Sequence, residues 1–215
     1  MKPGDAVPNQ FRARRVEARQ LRVAPAGAKL KAMVAHNGQL ITGMERVTPK
    51  IEGTGSDACV VPDVENDVLK IVVYNRYAPA DPQVAFIKGF GLKNAAMASS
   101  CAHDSHNIIA LGTSDELIAQ GMNRIIELQG GQVVVTPERS VELALPIAGL
   151  LSTGSMEEIV PKFKQLTAAA REAGCAFDAP FMTLSFMALP VIPALKLSDK
   201  GLFDVTKSEF TRLVE

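Results

Sequence analysis

Apolar and polar positions along the chain predict a strand-rich first half and a mixed second half. Phe11 to Val23 alternates apolar with basic residues, the period of a strand or two. Leu30 to Val47 holds two extended runs around His36-Asn37-Gly38, and Asn-Gly is the strongest short signal for a hairpin. Gly53 to Asp57 reads as a loop. Val68 to Tyr77 carries Leu69, Ile71, Val72, Val73 and Tyr74, a β-branched run suited to a buried strand. Pro79 and Pro82 break that run before Val84-Ala-Phe-Ile87 starts the next.

Beyond a polar stretch at 99–107, Ile108 to Leu111 predicts a short buried strand. Thr113 or Ser114 then caps a helix with Asp115 and Glu116 in its first turn. Leu117, Ile118, Met122, Ile125, Ile126 and Leu128 recur at helical spacing, and Gly130-Gly131 ends it. Gln132 to Val135 is a strand again. The whole is a β-α-β unit near residues 107–136, which predicts a parallel pair joined by a right-handed crossover. Val141 to Leu145 reads as a further strand. Ser155 with Glu157 and Glu158 opens a second amphipathic helix through Ala173, closed by Gly174. The apolar tail, interrupted by Pro190 and Pro193, predicts a short helix or strand with Phe181, Met182, Phe186 and Met187 in the core. The expected class is α/β: a mixed β-sheet with flanking helices, a strand-rich lead-in at 1–62 and an α/β domain at 63–215.

Composition narrows the partners. Lysine plus arginine and aspartate plus glutamate number 23 each, so no global field recruits nucleic acid or an anionic membrane. The one basic cluster, Arg12, Arg14, Arg15, Arg19 and Arg22, suits the exposed side of an edge strand or an arm. Three dispersed cysteines, Cys59, Cys101 and Cys175, argue for a reducing compartment and against a disulfide framework. Met1 to Ala6 lacks the apolar core of a signal peptide, and no uncharged apolar run reaches the roughly 20 residues of a membrane span. The expected location is the cytoplasm.

Candidate chemistry is concentrated at Ser99-Ser-Cys-Ala-His-Asp-Ser-His-Asn107, which holds two of the three histidines. Cys101, His103 and His106 offer donors that suit zinc, but a complete site needs a further ligand, and such a cluster is more often a hydrogen-bonding network around a turn. No metal ligand is assigned on these residues alone. Asp104, Ser105 and His106 name the members of a catalytic triad, yet adjacent side chains diverge and a triad is assembled from distant segments. Cys101 as nucleophile with His103 as base competes with a buried small thiol. Lys88-Gly-Phe-Gly-Leu-Lys93 lacks the spacing of a phosphate loop and reads as a bulge or tight turn.

A resemblance goes further. Val64-Glu-Asn-Asp-Val-Leu-Lys70, Phe86-Ile-Lys-Gly-Phe-Gly-Leu-Lys93, Ala98-Ser-Ser-Cys-Ala-His-Asp-Ser-His-Asn-Ile108, Leu145-Pro-Ile-Ala-Gly-Leu150 and Pro180-Phe-Met-Thr-Leu-Ser-Phe186 occur in one order over some two thirds of the chain. In these motifs the chain resembles the C-terminal domain of the adenine deaminase family in the amidohydrolase superfamily. Asn94 departs from it, standing where glycine is expected.

The resemblance implies hydrolysis of adenine to hypoxanthine and ammonia at a two-metal centre of manganese, iron or zinc. It places the ligands on a TIM barrel that begins with an H-x-H pair. This chain has no H-x-H, and a barrel takes about 250 residues, so the barrel lies elsewhere. Its implied partners are a barrel domain or subunit and the purine base, with self-association through an exposed apolar face also open. His103, Asp104 and His106 are the implied catalytic contributors. Ser99, Ser100, Ser105 and Asn107 are the implied substrate contacts. The isolated chain is expected to be inactive; the alternative is a standalone purine-binding or regulatory module.

Overall fold

The computed structural model describes residues 9–215. Met1 to Ala6, read above for a signal peptide, lie outside them. One eight-stranded mixed sheet runs in the order β10-β9-β7-β8-β5-β6-β1-β2. Its strands are β1 (Leu30–Val34), β2 (Gly43–Val47), β5 (Leu69–Tyr74), β6 (Gln83–Lys88), β7 (Ala96–Ser99), β8 (Ile108–Gly112), β9 (Gly131–Val135) and β10 (Ser140–Ala144). A small two-stranded sheet pairs β3 (Lys50–Glu52) with β4 (Cys59–Val61), and a three-stranded one joins β11 (Leu195–Ser198), β12 (Gly201–Asp204) and β13 (Glu209–Phe210). The helices are α1 (Asp115–Glu127), α2 (Met156–Glu172) and α3 (Pro180–Phe186).

Period-two alternation distributes the apolar side chains to two cores. In β5, Leu69, Ile71 and Val73 face the core beneath α2, α3 and the three-stranded sheet, while Val72 and Tyr74 face the core beneath α1. Ile109 and Leu111 of β8 follow the first set, Ile108 and Ala110 the second. The central strands are therefore covered on both sides, which explains their unbroken apolar runs.

The expected β-α-β unit is present in split form. β8 and β9 each pair antiparallel with β7, so they share a direction with β7 lodged between them. The parallel hydrogen-bonded pair among the described residues is β1 with β6, and β1 with β2 forms the expected hairpin in the register Leu30↔Val47. Its connection is longer than the Asn37-Gly38 pair alone, spanning 35–42.

Helix ends follow their signals. The Ser114 hydroxyl accepts the Leu117 amide at 3.2 Å, and Ser155 and Glu158 make a reciprocal capping box. Two expectations need correction. Phe11 to Val23 forms a short 3-10 turn (Ala18–Leu21) and a lone bridge from Val23 to Val60, with no strand. Its polar backbone is met by a side chain: the Val16 amide donates to Asn123 Oδ1 and Asn123 Nδ2 donates to the Val16 carbonyl, both at 2.8 Å. Asn123 thus satisfies Val16 at the middle of the segment without a ladder, while the Arg12 and Arg14 amides donate to the Arg76 carbonyl and the Tyr74 hydroxyl. Met182 is 57% exposed and lies outside the core that takes in Phe181 and Met187. Asn94, where glycine was expected, adopts φ +48°, so the left-handed turn is kept.

One charge sits inside the alternation. Lys70 of β5 is fully buried on the α1 side, where its Nζ donates to both oxygens of Asp115 at 2.6 and 2.8 Å and to the Leu21 carbonyl at 3.0 Å. Burial pushes the Asp115 carboxyl up, against the opposing pull of the Lys70 bonds. Asp115→Ala strands the ammonium and should cost about 3–5 kcal/mol in urea unfolding, whereas Lys70→Met with Asp115→Leu should restore near wild-type stability.

Candidate functional site

The β7–β8 connection carries most of the predicted site residues, and its two ends are fastened before its tip is reached. Ser99 and Ser100 are fully buried. Ser99 Oγ accepts the Cys101 amide at 2.9 Å; Ser100 Oγ accepts the Gly131 amide at 2.8 Å and donates to the Gly149 carbonyl. At the far end Asn107, 4% exposed, accepts the Arg76 amide through Oδ1 at 3.3 Å. These three side chains are spent on backbone groups. Asp104 and Ser105 are exposed at the tip.

Two imidazoles stand behind the tip. The His103 amide donates to the Ser185 carbonyl of α3 at 2.9 Å, and its ring stacks on Phe186 with centroids 4.6 Å apart. The His106 ring meets that of His103 edge-on at 5.2 Å. His106 has φ +51°, its amide donates to the Ala102 carbonyl at 2.6 Å, and its Nδ1 is buried without a partner. Burial pushes the His106 imidazolium below its ordinary range, helped by His103 and Arg76 and opposed by Asp104. A neutral imidazole near pH 7 can accept or relay a proton.

The other expected chemistries fare differently. Among the described residues no three His, Cys, Asp or Glu side chains converge closely enough to hold a metal ion, so Cys101, His103 and His106 do not make a zinc site. The donors present do not fit a metal centre, and no metal step is built on them. Burial pushes the Cys101 thiol up, although Ser99 and Arg76 pull the other way, which leaves a poor nucleophile. The glycine-rich run is a turn with an internal occupant. The amides of Gly89 and Gly91 donate to the two carboxylate oxygens of Asp67 at 2.7 and 2.8 Å. Positive φ at both glycines aims those amides inward.

The residues that sequence reasoning missed are Arg76, Tyr77 and Phe186. Arg76 is 2% exposed, and its guanidinium donates to the His106 carbonyl, the Ala148 carbonyl and the Tyr77 hydroxyl. The available signal for Arg76 was a charged residue two positions after the apolar run of β5. Five motifs thus meet at two junctions: Asp67 with the Gly89–Gly91 turn, and the 99–107 loop with the turn at 147–151 and the end of α3.

Comparison with known proteins decides the family. The family described as "Adenine deaminase C-terminal domain" matches residues 39–209. The chain belongs to the adenine deaminase C-terminal domain family. It is 50% identical over 185 residues to an adenine deaminase of Methanosarcina acetivorans, covering 86% of this chain and 33% of that protein. A Salinibacter ruber adenine deaminase is 45% identical over 95% of this chain and 37% of its own length, and one of Brucella abortus 42% identical over 94% and 34%. The chain therefore spans about a third of the length of the curated relatives it matches. No helix among the described residues is long and apolar enough to cross a membrane.

This adenine deaminase C-terminal domain also buries a lysine beneath the site. Lys196 is fully buried and donates to the carbonyls of Leu40 at 2.9 Å and Phe186 at 3.1 Å. Burial pushes its ammonium down from 10.5 to about 8. The unfolded chain holds the additional proton between those values, so stability should rise with pH across the window from about 8 to 10.5. Lys196→Met should flatten that rise, which denaturant midpoints measured at intervals of pH will test.

Proposed function

We propose that this chain is the site-closing domain of an adenine deaminase. On this reading it completes a purine pocket on a metal-bearing barrel and contributes to hydrolysis of adenine to hypoxanthine and ammonia. The supporting observation is one loop: Asp104 and Ser105 project to solvent from a fastened base, with His103 and His106 directly behind them. The match covers 33% and 37% of two relatives named adenine deaminase, which leaves room for a barrel in the remainder.

The roles follow from the geometry. His106, held neutral, accepts or relays a proton at an imidazole nitrogen; His103, clamped on Phe186, and Asp104 orient the attacking water or the base. Ser105 is the hydroxyl placed to bond the purine. Ser99, Ser100 and Asn107 act on substrate indirectly, by holding the loop that carries the others. Manganese, iron or zinc belongs on the barrel. Free Cys59, Cys101 and Cys175 accord with a cytoplasmic enzyme of purine metabolism.

The test is a chimaera in which this chain replaces the matching third of the Methanosarcina acetivorans protein, assayed for ammonia release from adenine with manganese. The chimaera should be active, and this chain by itself inactive. His106→Ala should lower kcat/KM by about 10²–10⁴-fold while leaving the thermal melt of the separate chain unchanged. Deamination by this chain alone, or full activity of the barrel without it, overturns the proposal. Purine binding by this chain without any effect on the barrel would favour a regulatory module instead.

A further inference from the structure

Arg76 has an unusual set of partners for a buried cation. Among the described residues it pairs with no carboxylate. Its Nε donates to the His106 carbonyl, and Nη2 donates to the Ala148 carbonyl at 2.7 Å and to the Tyr77 hydroxyl at 3.0 Å. Nη1 reaches Asn9 Oδ1 at 3.5 Å, and the Arg76 amide donates to Asn107 Oδ1. The guanidinium carbon also lies over the Tyr77 ring at 4.6 Å and the Phe11 ring at 5.2 Å from the centroids. Removing a guanidinium from water without a counter-charge is costly. An apolar side chain would fill the space without that cost, so the donors of the planar fork, four of them engaged, are what the site uses.

What the fork holds is the least comfortable residue of the loop. His106 stands at φ +51°, a conformation that a side chain other than glycine keeps when its surroundings over-determine it. Both of its backbone groups are bound: the amide to Ala102, the carbonyl to Arg76 and, at 3.4 Å, to the Tyr77 hydroxyl. The opposite side of the fork is shaped for it. A Cβ built on Gly149 would lie 2.5 Å from Arg76 Nη1, so the glycine leaves the room that the guanidinium occupies.

We propose that Arg76 is a positioning residue: its guanidinium ties the 101–107 loop to the 147–151 turn and so sets where His106 stands over the substrate. The catalytic part of this inference rests on the site-closing reading above; the mechanical part does not. Arg76 touches no substrate and acts through the His106 backbone.

Amide hydrogen exchange on the 215-residue chain tests the mechanical part. In Arg76→Met the His106 amide should exchange at least about ten-fold faster than in wild type while β5 and β8 stay protected. Arg76→Lys should behave likewise, because an ammonium keeps the charge and loses the fork. Should Arg76→Met not fold, Arg76→Lys carries the test by itself, since it keeps the stem and the charge and loses only the fork. In the chimaera, Arg76→Lys should lower kcat about 100-fold with KM changed less than about three-fold. Unchanged exchange at His106, or restoration of exchange and kcat by lysine, overturns the proposal. If the wild-type chimaera is inactive, the deaminase reading fails and the exchange data alone decide the role of Arg76.

Discussion

A sheet covered on both faces leaves no solvent side on which to place a polar residue. β5, β8 and β9 are buried at every position, so any charge in them must find its partners inside the protein. Lys70 meets that demand with Asp115 and the Leu21 carbonyl, and in doing so ties the start of α1 to the middle of the sheet. Arg76, just past the end of the same strand, meets it with carbonyls from two loops. Lys196 meets it with two more. Each buried cation thus fixes a connection that apolar packing alone leaves adjustable, because a hydrogen-bonded charge tolerates little displacement while hydrophobic contact is non-directional.

The same constraint explains which parts of the chain could be read from sequence. The run Leu69–Tyr74 announces a strand because both of its faces are apolar, and α1 and α2 announce themselves because Ser114, Ser155 and Glu158 carry local capping chemistry. Phe11 to Val23 misleads for the converse reason. Phe11, Ala13, Val16 and Leu21 pack on the α1-side core between exposed arginines, which mimics a strand, but Asn123, over a hundred positions from Val16, takes the place of a neighbouring strand. The sheet of β11, β12 and β13 escapes notice because its strands are short and Lys196 breaks the expected pattern by pointing inward.

The candidate loop stands out in the sequence, but the part each of its residues plays in the fold does not. A dense polar stretch between two apolar runs marks the 99–107 loop, and nothing local says which members are spent on structure. Ser99 and Ser100 are the same residue type as Ser105, yet the first two are buried against backbone, as is Asn107, and Ser105 is exposed. Asp67 with the Gly89–Gly91 turn has the same character: the acceptor and its two amide donors are separated by more than twenty residues. Long-range hydrogen bonds are set by topology, so residue type and spacing cannot assign them.

The division between spent and exposed groups bears on how such a domain can serve a reaction. A loop that presents a carboxylate and a hydroxyl must be rigid to improve on water, since orientation is what a positioned group contributes. Here the bracing contacts come from behind, through Arg76 on the His106 carbonyl, Ser185 on the His103 amide and Phe186 against the His103 ring. Leu151 and Met182, 61% and 57% exposed, belong to the two segments that brace it, the 147–151 turn and α3. If the proposed barrel contact is made here, exposed apolar side chains on the bracing segments would exclude water around the polar tip. On the proposed reading, a domain built this way would lend shape and proton-handling groups to a centre held elsewhere, and its value to that centre would depend on how little the loop moves.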